Sequence, residues 1–206
     1  MPRLIDISPR VSERIAVWPG DVPYRRVVGA SFGAGGNLEL SSVVTTLHVG
    51  AHADAPRHTA PDGAPIDEVP LDAYFGPCQV IGVEVPRGAR IRPEDLTAPV
   101  EAPRVLLRTG TFPDPEAWGS DFASLSPELV DALAGRGVVL VGIDTPSVDP
   151  FDDGELESHR ALRRHGMANL EGLVLSHVPA GRYTLIALPL PLAEADASPV
   201  RAALAV

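Results

Sequence analysis

Short apolar segments closed off by proline or glycine constrain this chain more than any other feature. Leu4–Ile7, Tyr24–Val28, Leu38–Leu47, Cys78–Val85, Arg104–Arg108, Val138–Ile143, Leu173–Val178 and Tyr183–Leu188 all read as strands. Several lack polar alternation, which predicts strands buried on both faces. The 22 prolines and 19 glycines are spread along the chain, so they punctuate loops and mark no linker. Only two helices read clearly. Ser126 before Pro127 and Glu128 is an N-cap followed by proline at the first helical position, and Gly135–Gly137 stops that helix. Asp152 or Asp153 caps the second, over about Glu155–His165, with Gly166 ending it. The expectation is one α/β domain over residues 1–206, with a mostly buried mixed sheet and few helices.

Charge removes whole classes of function. The net charge is −10, from 17 arginines and no lysine against 27 carboxylates, so nucleic acid is not expected as a partner. Without lysine there is no Schiff-base chemistry and no Walker-type phosphate loop. No run approaches the ~18 apolar residues of a spanning helix, so no membrane partner is expected. The N-terminal Met-Pro-Arg-Leu-Ile-Asp lacks a signal-peptide pattern, and the lone Cys78 fits a reducing cytoplasm.

Chemistry concentrates in His48-Val-Gly-Ala-His52-Ala-Asp54-Ala-Pro-Arg-His58. The Val/Thr run before it predicts strand, and along a strand these even-spaced residues share one face. Gly50 and Pro56 oppose a helix. A straight strand would hold His48 and His52 about 13 Å apart. That is long for one metal ion, so either the strand bends at Gly50 or two ions share the site. Imidazole suits zinc, a carboxylate can bridge two cations, and the small neighbours leave room for ligands and substrate.

The segment resembles the His-x-Gly-Thr/Ala-His-x-Asp-x-Pro-x-His signature of the cyclase-like metal hydrolases, whose fold is a swivelling β/β/α domain. Its Ala51–Pro56 version is most similar to the bacterial kynurenine formamidases (arylformamidases of tryptophan breakdown). The resemblance extends to Trp18–Asp21, Gly142–Asp149, His159, Leu170–Gly172 and Val178–Leu190. It implies that His48, His52, Asp54, His159 and Glu171 hold two zinc ions, with Asp54 bridging. It also implies that His58 is the acid/base, that the substrate is N-formyl-L-kynurenine, and that the protein is a homodimer. Trp18, in a turn-forming stretch, is expected to wall an aromatic substrate. His165 and His177 receive no role.

Formamide hydrolysis fits such a set. Zinc lowers the pKa of a bound water to about 7, and a histidine outside the ligand set can move the proton to the departing arylamine. One rival is a serine hydrolase at Gly29-Ala30-Ser31-Phe32-Gly33, but Ala34-Gly35-Gly36-Asn37 forms helix poorly where a nucleophile elbow needs one. The others are simple metal storage, and the same metals acting on a cyclic imide, lactone or related amide.

Overall fold

A computed structural model describes residues 3–206. The strands are β1 (Leu4–Asp6), β2 (Arg25–Ala30), β3 (Leu40–Val44), β4 (His52–Asp54), β5 (Phe75–Gly82), β6 (Arg90–Ile91) and β7 (Arg104–Arg108). After β8 (Ser124–Leu125) come α1 (Pro127–Ala134), β9 (Leu140–Ile143), α2 (Glu157–Arg164) and β10 (Ala168–Glu171). The chain closes with β11 (Gly181–Ile186), β12 (Ala197–Pro199) and β13 (Ala203–Ala205). Nine strands make one mixed sheet in the order β1-β13-β11-β5-β7-β9-β10-β4-β12. Its centre, β5 to β10, is parallel, and the flanks are antiparallel. This is the expected α/β architecture. Among the described residues no helix is long and apolar enough to cross a membrane.

Alternation along the central strands builds two cores. Val105, Leu107, Val141 and Ile143 pack under the helices with Leu129, Leu133 and Leu162. Cys78, Val80, Leu106, Leu140 and Leu170 point to the opposite face. The first helix starts as the sequence suggests, whereas α2 starts at Glu157, two residues later than expected, after Leu156 at φ +50°. The Ser126 hydroxyl accepts from the Leu129 N–H at 3.1 Å, and the Asp153 carboxylate accepts from Glu155, Leu156 and Glu157 at 2.8–3.3 Å.

Three expectations need correction. The run Leu38–Leu47 yields strand only at Leu40–Val44, and with β2 it forms a separate hairpin exposed along almost its whole length rather than buried. Leu173–Val178 is not a strand; β10 lies just before it, because Gly172 takes φ +64° and turns the chain. Leu173, Leu175 and Val178 are buried all the same, as loop residues in the core. His177, which falls within that expected strand, lies instead in a turn, its ring hydrogen-bonded to the Asp6 carbonyl at 2.9 Å.

Candidate metal centre

The histidine segment is not one strand. Gly50, at φ +60°, bends the chain, His52–Asp54 form β4, and Pro56 opens a 3-10 turn that carries His58 off the strand. The bend draws His48 back, so its ring centroid lies 5.0 Å from that of His52 and 4.3 Å from that of His58. Of the two arrangements the sequence allows, the structure adopts the bend.

Sheet register supplies the rest. Glu171 of β10 pairs with His52 of β4, and both side chains share the face opposite the buried Ala53 and Leu170. His159, in the first turn of α2, comes down on that face. The structure thus brings His48, His52, Asp54, His58, His159 and Glu171 together, although the last two lie more than 100 residues from the segment in sequence.

Donor atoms converge at regular spacing. His48 Nδ1 lies 3.1 Å from Asp54 Oδ1, and His52 Nε2 lies 3.6 Å from the same oxygen and 3.2 Å from Glu171 Oε2. His159 Nε2 is 3.2 Å from Asp54 Oδ2 and 3.3 Å from Glu171 Oε1. Metal bonds of about 2.0–2.2 Å put neighbouring tetrahedral donors roughly 3.3–3.6 Å apart, so the cluster has the scale of a coordination shell. Each carboxylate turns one oxygen toward His52 and the other toward His159.

Two atoms test the fit. His52 Nε2 and Asp54 Oδ1 are buried, and although Glu171 Oε2 and His48 Nδ1 stand 3.2 and 3.1 Å away, neither atom makes a well-aligned hydrogen bond. Each such orphan costs about 1–3 kcal/mol, and a cation between them removes both costs. The outer contacts agree. His52 Nδ1 bonds the Gly50 carbonyl at 2.9 Å, His159 Nδ1 bonds Asp149 Oδ2 at 2.7 Å, and His48 Nε2 bonds Asp196 Oδ2 at 3.0 Å. Every one of these rings keeps its second nitrogen for the centre, the arrangement that orients metal-binding histidines.

Electrostatics follow from the same contacts. Burial opposes the charge on His48, but Asp54 and Asp196 outweigh it and raise the pKa to about 9. Burial likewise opposes charge on His159, and Asp149, Asp54 and Glu171 raise it well above the usual value. His58 goes the other way: burial holds its pKa below the ordinary imidazole value.

A cavity of about 490 Å³ opens over the cluster, lined by His48, His52, His58, His159 and Glu171 together with Trp18, Phe112 and Trp118. Trp18 meets Trp118 edge-on with centroids 5.3 Å apart, and Phe151 lies 5.0 Å from Trp18 on another side. Trp18 is therefore placed in the wall where the sequence puts it. Trp118, a loop aromatic in Ala117-Trp118-Gly119, carried the same signal unread. Asp149, Asp196 and Asn169 were missed as well; Asn169 donates to Asp54 Oδ2 at 2.7 Å and to Glu171 Oε1 at 3.2 Å.

Ser31 lies in the connection of the β2–β3 hairpin, followed by a 3-10 turn instead of a helix, and does not line that cavity. The serine-hydrolase alternative has no elbow to stand on. His165 bonds Asp131 at 2.7 Å between the two helices, away from the cluster.

The profile of the family described as "Putative cyclase" matches residues 5–150. The chain belongs to the cyclase family. A solved structure described as a "Potential Metal-Dependent Hydrolase With Cyclase Activity" is 26% identical, with TM-score 0.84 over 99% of this chain and 98% of that one. A "predicted metal-dependent hydrolase from Bacillus stearothermophilus" is 27% identical, with TM-score 0.83 over 99% and 98%. Isatin hydrolase A from Labrenzia aggregata shares the fold at 23% identity, with TM-score 0.81 over 100% and 94%. Family membership and donor cluster agree on a cyclase-like, metal-dependent hydrolase.

Proposed function

We propose that the protein hydrolyses N-formyl-L-kynurenine to L-kynurenine and formate at a pair of zinc ions held by His48, His52, Asp54, His159 and Glu171. The observation that carries this reading is the pair of buried atoms without a well-aligned hydrogen bond, His52 Nε2 and Asp54 Oδ1, in the cluster that borders a tryptophan-lined cavity. Asp54 and Glu171 each offer two oxygens to opposite sides, which supports two ions rather than one. Such ions supply a water acidic enough to attack at neutral pH and polarise the acyl oxygen.

The chain's own groups do the remainder. His58, neutral near pH 7 because burial lowers its pKa, accepts the proton of the attacking water and returns it to the departing nitrogen. Asp149 and the Gly50 carbonyl hold the rings of His159 and His52 in the tautomer that keeps Nε2 free. Trp18 and Trp118 offer aromatic surface to the aryl ring and exclude water around it. Cys78 is buried and unpaired, in keeping with a cytoplasmic enzyme.

The same reading takes the protein as a homodimer. The β2–β3 hairpin exposes Phe32, Leu40 and Val43 at 63%, 62% and 55%, far more apolar surface than a free two-stranded ribbon tolerates. It springs from Asp21 and Thr46, joined at 2.9 Å, beside the loop that carries Trp18. A second copy covering the hairpin would therefore also border the cavity mouth.

Purified, zinc-loaded protein given N-formyl-L-kynurenine should release formate and kynurenine in equal amounts. No release, alongside turnover of a cyclic imide or lactone, would replace this substrate while keeping the site.

A further inference from the structure

We propose that a second cavity, reached from the other side of the donor cluster, holds the acyl half of the substrate and admits acyl groups larger than formyl. The inference rests on amide hydrolysis at the cluster. The cavity measures about 460 Å³, close to the volume of the aromatic one. His58 and His159 line both; His48, His52 and Glu171 line only the first, and Asp54 and Asn169 only the second. The reacting centre therefore stands between two chambers.

The walls differ in kind. The first chamber presents Trp18, Phe112 and Trp118, whereas the second exposes mainly apolar surface from Val69, Tyr74, Val139, Leu162, Met167 and Ala168, with Asp72, Arg104 and Arg163 also on its wall. A planar amide sends its two substituents in opposite directions from the carbonyl group. With the arylamine against Trp18 and Trp118, the acyl substituent points away from that chamber, toward the second. A formyl group places only a hydrogen there and leaves the space unfilled. An aliphatic acyl chain matches both its size and its apolar lining.

The reaction is the same hydrolysis. Water adds to the acyl carbon, the C–N bond breaks, the nitrogen leaves with a proton, and the products are an aliphatic carboxylate and the arylamine. Each methylene buried is worth roughly fourfold in kcat/KM.

The test uses zinc-loaded protein and the formyl, acetyl, propanoyl and butanoyl amides of one arylamine, with Val139→Trp and Ala168→Leu as variants that fill the second chamber. Val139 is 40% exposed just before β9 and Ala168 opens β10, so neither belongs to the metal or proton machinery. Wild type should gain roughly fourfold per carbon from acetyl to butanoyl. Both variants should abolish that gain and cost the butanoyl amide at least about tenfold, while the formyl amide keeps its rate. Calorimetry on metal-free protein should show the butanoyl amide binding more weakly to Val139→Trp than to wild type. Formyl turnover without any gain along the series, or equal losses for formyl and butanoyl amides in the variants, would overturn the inference and leave the formamidase reading standing. If no amide is hydrolysed, that reading fails and takes the inference with it.

Discussion

His58 and His48 are both imidazoles within a few ångströms of Asp54, yet their surroundings give them opposite proton affinities. His48 is clasped by Asp54 and Asp196, whereas His58 sits on the turn begun by Pro56, 3.7 Å from Asp196, too far for a hydrogen bond. His58→Gln should therefore keep metal content and fold but lose about 10²–10⁴-fold in amide hydrolysis. Elemental analysis beside the rate decides: metal lost in parallel would make His58 a ligand, and a wild-type rate would make it a bystander. Asp149 acts one shell further out. It holds His159 Nδ1 at 2.7 Å and accepts from the backbone of Ser158 and His159 at the start of α2. Asp149→Asn should weaken zinc binding by about 10–100-fold, measured by chelator competition, with the fold intact by circular dichroism. The outer acceptors were not legible in the sequence. His48, His52, Asp54 and His58 announce themselves by residue type and spacing, but Asp196 and Asn169 become partners only through strand pairing across more than 100 residues. His159 and Glu171, unremarkable in composition, were found only through the family resemblance.

At the scale of elements, the apolar runs were legible where both faces of a strand are buried, as in Arg104–Arg108, and on the less buried strands at Leu4–Asp6 and Gly181–Ile186, but they misled at Leu173–Val178. Ala168-Asn169-Leu170-Glu171 alternates because one face carries the site and the other the core, so the continuous apolar stretch after it drew the strand assignment instead. What separates the two is Gly172. A Cβ there would stand 2.1 Å from the Gly50 carbonyl oxygen, and both glycines have positive φ. These two residues let the bend before β4 nest against the end of β10, which sets His52 beside Glu171. Gly172→Ala should cost at least about 1–3 kcal/mol in urea unfolding of the metal-free protein and lower zinc affinity as well. A denaturation midpoint equal to that of wild type would show that the contact is dispensable.

At the scale of the whole molecule, the hairpin was read from the sequence as strand, but nothing in its composition reveals that it stands exposed along almost its whole length. Its Val/Leu pattern suits burial, which a second copy of the chain would supply in the proposed assembly. Sedimentation should show a dimer, and Val28→Asp combined with Val43→Glu should give a monomer with unchanged circular dichroism. A monomeric wild type would refute the assembly. The account as a whole depends on metal at the cluster, where two buried atoms lack a well-aligned hydrogen bond and the carboxylates around His48 and His159 favour protons that a cation must displace. Because both pKa values are raised, zinc affinity should climb with pH through neutrality, and binding near pH 7 should release protons. The most direct measurement is elemental analysis of the purified protein paired with formamide hydrolysis before chelation, after it, and after zinc is restored. The account predicts two ions per chain, loss of hydrolysis on their removal, and recovery when zinc returns. Hydrolysis undiminished in protein shown to be free of metal would contradict it.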